Sequence, residues 1–117
     1  MIRLPRRNKY GNRKVRVDGI LFDSEAEAIR YGQLKLMEKA GSISSLAMKP
    51  VFVLAPAVTI AGKKKAALRY VADFGYYENG QQITEDVKGY LTDVFKIKRH
   101  LMMSVHNIEI RETGKRR

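Results

Sequence analysis

The chain has no cysteine and no tryptophan. The first absence excludes a disulfide framework and every zinc site built on thiolates, and it fits a reducing compartment, the cytoplasm. Long apolar runs are missing as well. The longest candidate, VFVLAPAVTIA, is interrupted by Pro56 and falls far short of the roughly 20 residues that cross a bilayer, so no membrane partner is expected. MIRLPRRNKYG holds no apolar core of the kind signal peptides carry, so no leader is expected. Serine-nucleophile motifs are absent. His100 and His106 stand six apart rather than at the i, i+4 spacing of a helical metal pair, and they read as surface or nucleic-acid-facing residues. Acidic charge is scarce: 12 Asp and Glu face 23 Lys and Arg, a net charge of +11. Such an excess favours a polyanionic partner, most often nucleic acid. What remains is 117 residues that are 44% hydrophobic, enough for one domain with a modest core.

The basic charge is unevenly placed. Residues 1–16 hold Arg3, Arg6, Arg7, Lys9, Arg13, Lys14 and Arg16 and no acid, which reads as an arm that grips phosphate, or else as a solvated tail. Residues 17–112 form the single domain, and 113–117 are a short basic tail ending in Lys115-Arg116-Arg117. Asp18-Gly19 marks a turn within a short hairpin over Val15–Phe22. A helix is expected over Ser24–Ala40, with Ser24 as its cap, Glu27 three residues on to complete a capping box, and Gly41 to end it. Its apolar face would be Ile29, Leu34 and Leu36 with Ala28, Gln33 and Met37. Lys49–Leu54 reads as a strand. Ala55–Lys65 reads as a loop or edge segment ending in the basic tip Gly62-Lys63-Lys64-Lys65, which lacks the spacing of a phosphate loop. A strand pair follows over Ala67–Tyr77 and Gln82–Lys88. A second helix is expected over Thr92–Val105, with Val94, Ile97, Leu101, Met102 and Val105 as its apolar stripe. Lys96, Arg99 and His100 share another face, and Lys98 lies beside the stripe. Ile108–Arg111 reads as a last strand. The order of helix, three strands, helix, strand predicts an α/β fold in which a mixed sheet is flanked by helices.

The strand pair carries the chemistry. Asn79-Gly80 between aromatic and β-branched runs predicts a two-residue type I′ turn. Counting outward, Glu78 faces Gln81, Tyr76 faces Ile83 and Phe74 faces Glu85, which leaves Asp73 facing Asp86. Their Cβ atoms would be roughly 5 Å apart, and like charges so placed destabilise a sheet. Alternation puts Lys88 on the face of Asp86 and sends Glu85 and Val87 to the other. A divalent cation resolves the repulsion. Mg²⁺ takes hard oxygen ligands, often one or two carboxylates with waters and substrate phosphate, and it can polarise a phosphodiester and activate water. Lys88 would hold that water or offset the developing charge. The competing reading is a surface hairpin in which Lys88 neutralises both acids, in pairs worth about 0–1 kcal/mol each.

Asp73, then twelve residues, then Asp86-Val87-Lys88 resembles the D…(D/E)-x-K signature of the PD-(D/E)XK nuclease superfamily, with Ala72 where that signature has proline. Lys9-Tyr10-Gly11, Val17-Asp18-Gly19, Phe22-Asp23-Ser24 with Glu27-Ala28, Tyr70 to Phe74, and Glu85 to Gly89 together resemble small phage-encoded endonucleases of the superfamily, over about residues 8–112. The resemblance implies a restriction-endonuclease-like core of order α-β-β-β-α-β. It implies Mg²⁺-dependent cleavage of DNA, with Mn²⁺ able to substitute, by Asp73, Asp86 and Lys88. It further implies a host-cytoplasmic setting and a role on branched or junction DNA, in phage recombination, replication or packaging. It also implies an extra metal-binding acid near the start of the first helix. There Glu27 is the candidate against its alternative as a cap, and Glu25 is the second choice. Arg3, Arg6, Arg7, Lys9, Arg13, Lys14, Lys63, Lys64, Lys65 and Lys98 are the expected DNA contacts. Cutting both strands of a duplex would need two such sites, hence a homodimer. The rival of a different class is a basic nucleic-acid-binding protein without chemistry, which would have the charge but no use for facing aspartates.

Overall fold

In the computed structural model, which describes residues 13–88 and 91–114, Asn79 and Gly80 both take positive φ, 51° and 77°. That is the type I′ geometry, and it sets the pairing of Glu78 with Gln81 through Phe74 with Glu85 as counted from the turn. Around this hairpin the described elements run β1 (Val15–Val17), β2 (Ile20–Phe22), α1 (Glu25–Lys39), β3 (Ser44–Met48), β4 (Val51–Ala55), β5 (Val58–Ile60), β6 (Lys63–Lys65), β7 (Leu68–Val71), β8 (Phe74–Glu78), β9 (Gln81–Val87), α2 (Asp93–His106) and β10 (Arg111–Thr113). The fold is mixed α/β. One four-stranded sheet has the order β10-β9-β8-β3, and three two-stranded sheets pair β1 with β2, β4 with β7 and β5 with β6. β10 runs parallel to β9, while β8 is antiparallel to both β9 and β3. Among the described residues no helix is long and apolar enough to cross a membrane.

The expected strand Ala67–Tyr77 is broken once, the expected strand at Lys49–Leu54 is preceded by an unforeseen one, β3, and the two breaks lie side by side. Lys49-Pro50 interrupts the run from β3 to β4, with Lys49 at φ 55°. Ala72-Asp73 interrupts the run from β7 to β8. Lys49 N–H donates to Asp73 O at 3.1 Å and Ala72 N–H donates to Pro50 O at 3.0 Å. The two kinks are thus stitched to each other, and both strand runs leave the central sheet together to form the β4–β7 ribbon. Proline explains half of this, since it has no N–H for a ladder. The segment read as a loop or edge segment, Ala55–Lys65, contains the β5–β6 hairpin, turned at Ala61 and Gly62 with φ 51° and 76°.

α1 forms where its expected cap places it, and α2 begins just after Thr92, which proves to be its cap. Ser24 Oγ accepts the Glu27 N–H and Thr92 Oγ1 accepts the Phe95 N–H. Their inward faces differ from the expected ones. α1 buries Glu27, Ala28, Tyr31 and Leu34, whereas Ile29 and Leu36 are exposed. Those two share a face seven residues apart, on the far side from 27, 31 and 34. α2 buries Phe95 and Met102 and leaves Val94, Ile97 and Val105 exposed. A ring buries more area than a valine, and Phe95 meets Tyr70 with ring centroids 6.4 Å apart. The last strand starts later than expected. Asn107, at φ 56°, caps α2, and Ile108 N–H returns to Met102 O at 3.2 Å. Residues 108–110 therefore finish the helix and bury Ile110 before pairing begins.

Two small cores result. Phe22, Ala28, Tyr31, Leu34, Ile43, Phe74 and Tyr76 pack beneath α1. Leu54, Tyr70, Ala72, Phe95, Met102 and Ile110 pack beneath α2 and the β4–β7 ribbon. The central sheet contributes Phe74 and Tyr76 to the first core, and the second is built from β4, β7, α2 and the segment that follows α2.

Candidate active site

The end of β9 carries three buried polar residues in a row, Thr84, Glu85 and Asp86. Alternation divides them. Glu85 faces α1, is 0% exposed, and is fully paired. Arg30 Nε and Nη2 donate to it at 2.7 and 3.0 Å, Tyr76 O–H at 2.6 Å and Thr113 O–H at 3.0 Å. Asp86 faces α2, is 3% exposed, and stands opposite Asp73. The ladder itself ends at Phe74 with Glu85, and Asp73, one residue before it, donates its N–H to the same Glu85 O at 3.1 Å.

Each aspartate has one oxygen held by a neutral donor and the other turned to an ammonium. Asp86 Oδ2 accepts from Tyr70 O–H at 2.5 Å, and its Oδ1 is 3.5 Å from Lys88 Nζ. Asp73 Oδ2 accepts from Val87 N–H at 2.7 Å, and its Oδ1 is 3.3 Å from Lys49 Nζ. Lys88 does not bridge the two acids; it pairs with Asp86 and lies over the Phe95 ring, 4.5 Å from the centroid. Glu27, buried in the first turn of α1, places Oε1 3.1 Å from the same Lys49 Nζ, and Asp23 Oδ2 is 3.6 Å from it. Ser24 holds up its half of the capping box, but the Glu27 carboxylate turns to Lys49. Glu25 is exposed at the rim.

The electrostatics are unbalanced. Burial, and then the neighbouring Asp73 carboxylate, push the Asp86 carboxyl up to about 7, against the opposing pull of Tyr70 and Lys88. Burial and Asp73 also raise Glu27, against Lys49. Burial and the Asp86 carboxylate push the Tyr70 hydroxyl up, so it stays a donor. Burial would lower Lys49, but Glu27 and Asp73 outweigh it and raise the ammonium. Carboxylates forced together in a desolvated place are a common mark of a functional centre.

These residues line one side of a cleft of about 1300 Å³ between the start of α1, the sheet end and the start of α2. Lys98 lies on its wall. Behind Lys88 the chain closes tightly: Lys88 N–H donates to Thr113 O at 2.8 Å, and a Cβ on Gly114, at φ 96°, would stand 3.1 Å from Lys88 O. The donor set of Glu27, Asp73 and Asp86 is all hard oxygen, which suits Mg²⁺ or Mn²⁺. A cation already stands between two of them, the Lys49 ammonium. Among the described residues no three acidic or histidine side chains enclose one point unaided.

Of the expected residues, Glu27, Asp73, Asp86, Lys88 and Lys98 share the cleft. Lys63, Lys64 and Lys65 lie exposed on β6, and Arg13 and Lys14 lie exposed ahead of β1. Arg3, Arg6, Arg7 and Lys9, the tail Lys115–Arg117, and Tyr10, Gly11 and Gly89 of the resemblance lie outside the described residues. His100 is exposed and does not line the cleft, and His106 Nε2 lies 2.7 Å from Val53 O. Three participants were not foreseen from the sequence: Lys49, Tyr70 and Arg30. The only local hint of Lys49 is a lysine before proline between apolar runs. Tyr70 has a clearer one, lying three residues before Asp73 in a strand facing Asp86.

A family model described as "Protein of unknown function (DUF1064)" matches residues 7–115, nearly the whole chain. No curated protein matches it.

Proposed function

The chain belongs to the DUF1064 family, and from its site we propose that it is a metal-dependent DNA endonuclease that hydrolyses phosphodiester bonds. The carrying observation is that Glu27, Asp73 and Asp86 meet beside Lys88 at an open cleft in a chain of net charge +11. Buried like charges cost stability, and a basic protein that merely coats nucleic acid has no need of them. The order α1, then β3, β8 and β9 in one sheet, then α2 and β10, agrees with the restriction-endonuclease-like core that the PD-(D/E)XK resemblance implies.

Asp73, Asp86 and Glu27 would hold the cation through the oxygens that face Lys49 and Lys88. When bound, Mg²⁺ or Mn²⁺ supplies polarisation of the scissile phosphate and a more acidic water. Tyr70 and the Val87 N–H fix the aspartate rotamers, so the ligand oxygens need not be ordered on binding. Lys88, braced by Asp86 and the Phe95 ring, orients the attacking water or offsets charge on the phosphate in the transition state. Attack in line with the leaving oxygen gives 5′-phosphate and 3′-hydroxyl ends. Lys98, Lys63–Lys65, Arg13, Lys14 and the arm with Arg3, Arg6, Arg7 and Lys9 grip the backbone and carry no sequence information. The substrate is branched or duplex DNA in the cytoplasm, the host's if the gene is a phage's, and a homodimer supplies a second site for the second strand.

The test offers end-labelled junction, flap, single-stranded and duplex DNAs with Mg²⁺, with Mn²⁺ or with chelator, to the parent and to Asp86→Asn. Metal-dependent cleavage by the parent alone is expected. DNA binding without cleavage on every substrate and with either metal would favour the non-catalytic reading.

A further inference from the structure

Lys49 is costly to place where it is. It takes φ 55°, a left-handed conformation that disfavours a side chain with a Cβ, and it precedes a proline, which narrows its backbone further. Its N–H is bound to Asp73 O at 3.1 Å. These constraints aim one side chain at the centre of the acids, 3.1 Å from Glu27, 3.3 Å from Asp73 and 3.6 Å from Asp23. The side chain is nevertheless 42% exposed, so the ammonium can swing out into the cleft without crossing the core. An outlier maintained in this way at a site points to a role for the residue.

We propose that Lys49 is a tethered competitor for the divalent cation. Its ammonium holds Glu27 and Asp73 together while no metal is present, and it must leave their oxygens before the ion can bind. This rests on the cation-dependent reading above and adds to it a built-in threshold: the ion binds only above a concentration that the lysine sets. If the ammonium vacates the carboxylates about one-tenth of the time, it weakens apparent affinity about tenfold. It also keeps the metal-free protein folded, by supplying the positive charge that the acids lack.

The experiment measures Mn²⁺ affinity by calorimetry, and melting with and without Mn²⁺, for the parent, Lys49→Met, Lys49→Arg and Lys98→Met. Lys49→Met keeps the length and removes the charge. It should bind Mn²⁺ about tenfold tighter, melt lower than the parent in chelator, and regain the difference when Mn²⁺ is added. Lys49→Arg keeps a competitor and should bind no tighter than the parent. Lys98→Met removes one charge from the same cleft without vacating the acids, so it should change affinity less than about threefold. Equal or weaker Mn²⁺ binding by Lys49→Met, or an equal gain in Lys98→Met, overturns the competition and leaves the cation site standing. Absence of Mn²⁺ binding in both the parent and Lys49→Met overturns the cation site itself, and the competition with it. A Lys49→Met variant that melts lower but binds Mn²⁺ as the parent does reduces Lys49 to a structural pair and overturns the proposal.

Discussion

Glu85 and Asp86 are neighbours in one strand, both carboxylates and both buried, yet they live in opposite circumstances. Glu85 looks toward α1 and meets a guanidinium on both oxygens, a phenol and a hydroxyl. Every lone pair that matters is answered, and the residue ties α1, β8 and β10 to β9. Asp86 looks the other way and meets Asp73, relieved by the Tyr70 hydroxyl and the more distant Lys88 ammonium. One residue shows how a fold uses a buried charge to specify its packing. The other shows a charge kept uncomfortable, which is how sites that await a ligand are built. A single step along a β-strand separates them, because that step changes the face.

The largest test of this contrast is chemical. Asp86→Asn and Asp73→Asn should each lower the initial cleavage rate by about 10³-fold or more, roughly 4 kcal/mol in barrier. DNA binding in gel shifts should stay unchanged or tighten, since a charge that repels phosphate is gone. A variant of either kind that retained a tenth of the parent rate would erase the distinction.

Stability should respond in the reverse sense. Glu85→Gln leaves Arg30 facing a neutral amide, and urea unfolding should show a loss of about 3 kcal/mol, the low end for breaking a buried pair because Arg30 keeps partial contact with water. Asp86→Asn relieves repulsion and should not destabilise the metal-free protein at neutral pH.

The same contrast can be drawn with pH. The Asp86 carboxyl is raised from 3.8 to about 7, so the folded state holds a proton that the unfolded state has released. Its contribution is fully present below about 3.8 and is lost as pH rises through about 7. In chelator, the parent should lose stability relative to Asp86→Asn between pH 5 and 7, by up to about 1.4 kcal/mol per pH unit. Glu27, also raised, works in the same direction. Parallel curves for parent and variant would mean that Asp86 is as settled as Glu85.

The smallest effects lie at the start of α1. Glu27→Gln should fold within about 1 kcal/mol of the parent, because Gln also serves a capping box, yet lose Mg²⁺-dependent cleavage. Ser24→Ala should lose about 1 kcal/mol in melting experiments by forfeiting the bond from Glu27 N–H, while cleavage survives. An active Glu27→Gln enzyme would place Glu27 in the class of Glu85 and turn attention to Glu25.

What the sequence reveals follows from the range of the interactions involved. The Asn79-Gly80 turn dictates its register locally, so the pairing down to Phe74 with Glu85 could be counted out by hand; Asp73 lies one residue beyond the ladder and reaches Asp86 from there. The Ser24 cap likewise acts over three residues. Lys49 could not be found that way, because its partners lie 22 and 24 positions off and its aim depends on a backbone kink. The helix faces were misjudged where aliphatic spacing competed with a ring: Tyr31 and Phe95 outweigh Ile29 and Ile97. β3 went unread because SSLAM has little strand character and carries an irregularity at Ser45, φ 56°.

The stitched kinks also give the site a place in time. Its acids come from positions 27, 73 and 86, and they cannot meet until the helix, the hairpin and both kinks have all formed. Closures of that span are slow beside those of a helix or a turn. Glu27 leaves the ribosome 59 residues ahead of Asp86, a lag of about 3–12 s at ordinary rates of synthesis. An unfinished or truncated chain thus carries the basic surface without the assembled acids. On the proposed reading such a chain would hold nucleic acid without the means to cut it, and nuclease activity would begin only after Asp86 and Lys88 have been added.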